Sequence, residues 1–112
     1  MVGSVAIVSK NQKLFVEYRD ILKDILMQID LLEKKMVHHQ TMSKFELEQL
    51  NYIKKEIQEL NQYAQKGTVY FKYGKRQRTL ESSYIVTDSL SNFASTQLGK
   101  QLNKLQDIYS RL

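Results

Sequence analysis

The chain has 112 residues, 42% hydrophobic and 26% charged side chains, and a formal net charge of +5. This length suits one domain with one modest core, and the composition is that of a folded globular protein rather than a disordered chain. Cysteine does not occur, which excludes disulfides and thiolate metal sites and favours a cytoplasmic location. No apolar run approaches the roughly 20 residues of a membrane-spanning helix, and the start lacks a basic leader, so we expect no signal peptide.

The first predicted helix covers residues 10–38. Apolar side chains follow one another there at spacings of three and four, which places them on one face of a helix. That face consists of Phe15, Tyr18, Leu22, Ile25, Ile29, Leu32 and Met36 and continues to His39, and it is widened by Leu14, Ile21, Leu26 and Leu31. A face of this width must be buried against more than one neighbour, which favours a bundle over an isolated coiled coil.

The second predicted helix covers residues 44–66. Ser43-Lys-Phe-Glu46 has the pattern of a capping box, in which the serine oxygen and the glutamate side chain satisfy early backbone amides. Gly67 follows as a natural left-handed cap at the other end. The apolar face is formed by Leu50, Ile53, Ile57, Leu60 and Ala64. The short polar turn between the two helices predicts an antiparallel helical hairpin.

A third helix is predicted over residues 88–112, with Asp88 as its N-cap. Its apolar face comprises Leu98, Leu102, Leu105, Tyr109 and Leu112. We expect four aromatic residues on apolar faces to lie in the core, namely Tyr18, Phe45, Phe93 and Tyr109. The fold class predicted from these three helices is all-α, an elongated three-helix bundle in a single domain of residues 1–112, joined by a connection over residues 67–83.

The whole net charge lies in residues 66–78, called here the basic segment. No acid occurs between Glu59 and Glu81, and the remaining twelve Lys and Arg residues are balanced by twelve Asp and Glu residues. The basic segment also carries three aromatic side chains. The candidate partner-binding or phosphate-binding residues are therefore Lys66, Tyr70, Phe71, Lys72, Tyr73, Lys75, Arg76 and Arg78. Aromatic side chains and arginine dominate binding hot spots, so this segment is the predicted working surface.

The local structure of the connection has three interpretations. Residues 68–73 are β-prone, and Gly74-Lys75 could turn them into a small β-hairpin over residues 69–80. Alternatively, the last helix starts near Lys75. In a further alternative, residues 1–8 form a strand beside residues 69–73, which would change the class to α+β.

Catalytic and metal-binding motifs give no support for an enzyme. The sequence has no glycine-rich phosphate loop, no H-E-x-x-H motif and no nucleophile motif. His38 and His39 are adjacent, so on a helix they point about 100° apart and cannot easily share one ion. We therefore expect no cofactor, no metal and no catalytic residue.

One further pattern follows the basic segment. Tyr84-Ile-Val-Thr-Asp88 is similar to the Tyr-x-x-x-Asp/Glu signal of small helical-hairpin proteins exported by type VII secretion systems, whose length and hairpin are similar too. Tyr52-Ile-Lys-Lys-Glu56 matches the same pattern. The Trp-x-Gly turn of that family is absent, since the chain has no tryptophan. The resemblance implies a secretion-associated helical protein and assigns no residue roles.

Three functions follow as hypotheses. The first is a small non-enzymatic protein-interaction module, such as an adaptor, chaperone or inhibitor, that binds a protein partner through a helix face and the basic segment. The second is a nucleic-acid-binding regulator that uses the same segment on phosphates. The third is a secretion-associated or toxin-neutralising helical protein. An anionic membrane surface is a further candidate partner, and wide apolar faces on a short chain predict a possible homodimer.

Overall fold

The structure is a computed structural model and describes residues 4–7, 12–39, 43–72, 79–86 and 96–112. Its elements in chain order are β1 (Ser4–Ile7), α1 (Gln12–His39), α2 (Lys44–Gln65), β2 (Thr68–Phe71), α3 (Glu81–Tyr84) and α4 (Gln97–Arg111). The architecture is an elongated helical bundle of the predicted all-α class, measuring 45 × 24 × 23 Å. None of the helices in the described ranges combines the length and hydropathy needed to cross a membrane.

Helix α1 is the centre of the bundle, because both α2 and α4 pack against it. Most of its predicted apolar face is buried, from Leu14 to Ile29, and the bundle core therefore lies along this part of the helix. Two polar contacts fix the neighbours. Lys54 Nζ of α2 lies 2.8 Å from Glu33 Oε1, and Gln101 Nε2 of α4 donates to Asp24 Oδ2 at 2.6 Å. These contacts link each outer helix to α1 beside the shared apolar core.

Both predicted ends of α2 are confirmed. The Glu46 N–H donates to Ser43 Oγ at 3.1 Å, and the Ser43 N–H donates to Glu46 Oε1 at 3.0 Å, which completes the capping box. After Gln65 the chain turns at Gly67, which has a φ of 78° and donates its N–H to the Ala64 carbonyl at 3.0 Å. Glycine adopts this left-handed conformation without the penalty that a side chain brings.

Helix α4 begins at Gln97, so the prediction of a continuous helix over residues 88–112 is wrong at Thr96. Thr96 has an extended backbone (φ −77°, ψ 167°), and its Oγ1 accepts the Gly99 N–H at 3.2 Å. Threonine in this position satisfies an amide that the first helical turn leaves free, and the helix starts after it. The predicted cap Asp88 lies outside the described residues. The predicted apolar face from Leu98 to Tyr109 is confirmed as buried.

The two strands form an antiparallel ribbon in which Ser4 pairs with Phe71 and Ile7 with Thr68. The expected alternative of an N-terminal strand is thus realised, but four residues in each strand leave the class all-α. The predicted hairpin over residues 69–80 is wrong in its described second arm, because Thr79 and Leu80 lie in no strand. The alternative prediction of a helix that starts near Lys75 is wrong at the same two residues, which lie in no helix. Residues 73–78 lie outside the described part of the chain.

Two predicted core residues are exposed. Phe45 is 53% exposed and Leu31 is 58% exposed. Leu31 is two residues after the buried Ile29, which turns it about 200° around α1 and away from both neighbouring helices. Phe45 lies in the first turn of α2, seven residues before the exposed Tyr52 on the same face. The predicted burial of Tyr18 and Tyr109 is confirmed, and Phe93 lies outside the described residues.

Candidate partner-binding site

Strand β2 is attached to the bundle by one of its faces. Val69 and Phe71 are buried, while Thr68 and Tyr70, which alternate with them, are half-buried. This alternation follows from the pleat, which turns successive side chains to opposite faces. The Phe71 ring lies 5.5 Å from the Tyr109 ring at an interplanar angle of 47°. The strand is therefore part of the core, although it is only four residues long.

The hydroxyl of Tyr109 fixes the end of β2. It donates to the Tyr70 carbonyl at 2.7 Å and accepts the Lys72 N–H at 3.3 Å. Tyr109 is on α4 and is buried, so this hydroxyl uses its donor and one acceptor position away from bulk water. We call this pair of bonds the Tyr109 clasp. It joins the last helix to the strand that lies within the basic segment.

Helix α2 holds the other face and the start of β2. The Tyr70 ring stacks on the Tyr63 ring with centroids 4.6 Å apart and 18° between the planes. The Thr68 hydroxyl donates to the Tyr63 carbonyl at 2.8 Å. The turn at Gly67 thus delivers the chain directly onto its own helix. Both ends of β2 are therefore fixed, one by α2 and the other by the Tyr109 clasp.

Two described cations flank the strand. Lys66 is exposed at the end of α2. Lys72 follows β2 directly, and its Nζ lies 3.6 Å from Glu81 Oε2, with both side chains partly exposed. An exposed pair of this kind contributes little to stability and is screened by salt. Lys72 therefore remains within reach of a partner that offers a stronger anion.

The structure describes half of the predicted site residues. Lys66, Tyr70 and Lys72 lie together around β2, and their side chains are exposed or half-buried. Phe71 is 2% exposed, so its side chain is part of the core of the free protein, and its predicted role in partner binding stays a prediction. The strand alternation that leaves Tyr70 half-buried turns Phe71 into the core. Those outside the described residues are Tyr73, Lys75, Arg76 and Arg78.

Glu56 is a structural residue that the sequence interpretation missed. Its side chain is 4% exposed, and its carboxylate accepts the Glu81 N–H at 3.0 Å, the Ser82 N–H at 2.9 Å and the Ser82 hydroxyl at 2.6 Å. The carboxylate of α2 thereby caps the start of α3, and these bonds compensate its removal from water. The available signal was a glutamate on the apolar face of α2, directly before Ile57.

A second buried polar group lies in the same core. The Tyr18 hydroxyl has no hydrogen-bond partner among the described residues, and its ring stacks 6.2 Å from that of Tyr109. Burial, followed by the nearby Tyr109 hydroxyl and Glu56 carboxylate, raises the pKa of Tyr18 above its ordinary value. The hydroxyl therefore stays protonated at physiological pH.

The described residues contain no group of three or more His, Cys, Asp or Glu side chains that could hold a metal ion. Two open grooves lie away from β2. One, of about 350 Å³, lies beside Glu33 and Leu47 between α1 and α2, and the other, of about 200 Å³, lies beside Leu32 and Leu98 between α1 and α4. Neither groove is lined by residues 66–72, the described part of the basic segment, so β2 is the best-placed described element for contact with a partner of this segment.

Comparison with protein-family models, with curated proteins and with solved structures finds no match to this chain. A role is therefore assigned to this chain from the geometry and the charge around β2.

Proposed function

We propose that the chain is a small non-enzymatic protein-interaction module that binds an acidic face of a partner protein through β2 and the basic segment. Such a module would serve as an adaptor, a chaperone or an inhibitor. The observation that supports this proposal best is the Tyr109 clasp, which fixes the strand that lies within the basic segment. We also propose a cytoplasmic location, which fits the lack of cysteine in the sequence.

The clasp supports binding because it reduces the cost of ordering the site. A strand already fixed by its core face and by both of its ends loses little conformational freedom when a partner docks. Tyr70 offers an aromatic side chain beside Lys72 at the end of that strand. Charges of a single sign in the basic segment would speed encounter with an acidic surface, and arginine can bind a carboxylate through two parallel hydrogen bonds.

The nucleic-acid alternative uses the same cations. It differs from the protein-partner proposal in how strongly its affinity depends on salt. Affinity for a nucleic acid falls steeply between about 50 and 200 mM salt because counterions are released on binding. Binding of an acidic protein face through the same cations also weakens with salt, but the contribution of the aromatic anchor does not, so we expect the smaller salt dependence for a protein partner. The membrane-binding, secretion-associated and homodimer hypotheses stay predictions.

Site-specific photo-crosslinking in extracts of the native host tests the proposal. The photoreactive amino acid p-benzoylphenylalanine replaces Tyr70 in one variant and the exposed Tyr52 of α2 in the control. We expect a discrete protein adduct from position 70 and none from position 52. Exchanging five cations for glutamine should abolish the adduct; these are Lys66, Lys72, Lys75, Arg76 and Arg78.

Two outcomes contradict the proposal. Adducts of equal yield from positions 70 and 52 would indicate non-specific contact. An adduct from position 70 that nuclease treatment removes would identify a nucleic acid as the partner.

A further inference from the structure

The outward face of α1 carries apolar side chains that the bundle leaves exposed. Helices α2 and α4 both pack on the opposite side of α1, where Tyr18, Leu22 and Ile25 are buried. On the outward side, Val16 is 52% exposed and Met27 is 57% exposed. Eleven positions separate these two residues, which is about three helical turns and returns the chain to the same face. Two apolar side chains are therefore aligned where neither neighbouring helix covers them.

Charged residues complete a regular pattern on this face, called here the outer seam. Its members follow one another at alternating spacings of three and four, and all of them are exposed: Lys13, Val16, Asp20, Lys23, Met27 and Asp30. This spacing is the one by which two helices pack along each other in a coiled coil. Among the ion pairs of the described residues, none involves Lys13, Asp20 or Lys23, and Asp30 pairs with the exposed Lys34 at 3.0 Å. The charges of the outer seam are therefore accessible to another molecule.

The order of these charges makes the outer seam complementary to a second copy of itself. When two such helices pack antiparallel, the two alternating sets of seam positions face each other, and the register changes in steps of seven residues. In one register the two apolar residues face each other across the contact. In that same register Asp20 faces Lys23 of the second copy, and Lys13 faces its Asp30. Every layer then joins apolar to apolar or acid to base.

The other arrangements of the same seam place like charges together. A shift of seven residues in one direction sets Lys13 opposite Lys23, and a shift in the other direction sets Asp20 opposite Asp30. A parallel pair in register sets each charged residue opposite its own copy. Like charges that face each other across an interface are unfavourable, so charge selects one direction and one register.

We propose that the outer seam is a homodimer interface, in which α1 packs antiparallel against α1 of a second copy in the complementary register. The apolar layers supply affinity, and the exposed charge pairs, which contribute little energy each, fix the register. The seam is about 26 Å long at 1.5 Å per residue, so the interface is at the small end of specific contacts and the dimer is weak. The seam shares no residue with β2 or the basic segment, and the inference does not rest on the proposed function.

Exchange of charges tests the register, with sedimentation equilibrium of the full chain at 50 mM salt as the measurement. Asp20→Lys and Lys23→Asp each place like charges opposite one another, so each should raise the dissociation constant of the dimer at least tenfold. The variant that carries both substitutions restores opposite charges, and its dissociation constant should return to within about threefold of the wild type. Both positions are exposed, and circular dichroism checks that the three variants fold.

Introduced cysteines test which residues meet, because the natural chain has none. Val16→Cys and Met27→Cys are prepared as separate proteins. In the proposed register, position 16 faces position 27 of the second copy, and each position lies about 16 Å along the helix from its own equivalent. A disulfide cannot span that distance. Under mild oxidation, an equimolar mixture should therefore give at least tenfold more covalent dimer than either protein alone.

Three outcomes would overturn the inference. The first is a wild type that stays monomeric at about 500 µM, where a weak specific dimer is populated. The second is a doubly substituted charge variant that dimerises no better than the single variants. The third is equal covalent dimerisation of the separate cysteine proteins and of their mixture, which would indicate a parallel or a non-specific contact.

Discussion

Three buried side chains at the contact between α1, α2 and α4 carry polar groups, and each has a different hydrogen-bonding state. The Tyr109 hydroxyl makes two bonds, the Glu56 carboxylate accepts three, and the Tyr18 hydroxyl has no partner among the described residues. Removing a bonded group leaves its former partners unsatisfied, whereas removing a group without a partner does not. The changes in the free energy of unfolding on substitution at these positions should therefore differ in sign as well as in size.

Tyr18→Phe is expected to raise the free energy of unfolding at neutral pH by about 1 kcal/mol, because it deletes a buried hydroxyl that lacks a bond. It should also weaken alkaline denaturation. Folding raises the pKa of Tyr18, so ionisation above the ordinary value of 10.0 favours the unfolded chain, and stability is retained below pH 10.0 and lost as the pH rises beyond it.

Denaturant unfolding at pH 7 and at pH 11 checks this prediction, with the exposed Tyr52→Phe as the control. A loss of stability in Tyr18→Phe at pH 7 would mean that its hydroxyl makes a stabilising bond, which contradicts the prediction.

Glu56→Gln is expected to lower the free energy of unfolding by about 2 kcal/mol, the scale of hydrogen bonds to a charged group. The amide has one acceptor oxygen where the carboxylate has two, and its NH₂ group faces an N–H donor from the start of α3. Chemical denaturation measures the loss, and Glu48→Gln on the exposed face of α2 is the matched control. Equal stability of the two variants would show that the three bonds to Glu56 contribute nothing.

At the scale of elements, the start of α4 depends on one side chain. Thr96→Ala removes the acceptor of the Gly99 N–H and is expected to lower the free energy of unfolding by about 1 kcal/mol. Gln97→Ala, one residue later and exposed, should leave it nearly unchanged. Thermal unfolding of both variants checks the ranking, and the reverse order would place the cap elsewhere.

The helices were predictable because apolar residues recur at spacings of three and four within each of them. The capping box at Ser43 and the glycine at position 67 are local signals, and the apolar spacing of α1 and α2 marks their buried faces. The start of α4 was not predictable, because Asp88 and Thr96 are both residues that cap helices well. The extended backbone at Thr96 shows that the helix starts after Thr96. A local pattern also cannot show which helix lies beside an apolar residue, which is why Leu31 was misplaced.

The candidate site was predictable in position and only partly in detail. The run of cations and aromatics marked the segment around β2. Pairing of β1 with β2 joins residues more than sixty positions apart, so no local pattern specifies it. Without the strand, the alternation that separates Tyr70 from the buried Phe71 could not be assigned. Glu56 and the Tyr109 clasp are long-range contacts of the same kind.

At the scale of the whole molecule, the bundle provides a rigid support for a short strand. Helix α1 is packed between α2 and α4, and both of these outer helices contact β2 or the residues at its ends. A partner docking on β2 would thus contact a strand whose Val69 and Phe71 side chains are part of the core. Binding should therefore stabilise the entire bundle against unfolding, since only the folded chain presents the site.

The central claim is that β2 is fixed to the bundle by the Tyr109 clasp, independently of any partner. Amide hydrogen exchange on the wild type and on Tyr109→Phe tests it most directly. We expect slow exchange of the β2 amides in the wild type, and at least tenfold faster exchange of Lys72 and its neighbours in the variant, with the amides of α1 unchanged. Identical exchange of β2 in both proteins, or exchange in the wild type as fast as in an unfolded peptide, would contradict the claim.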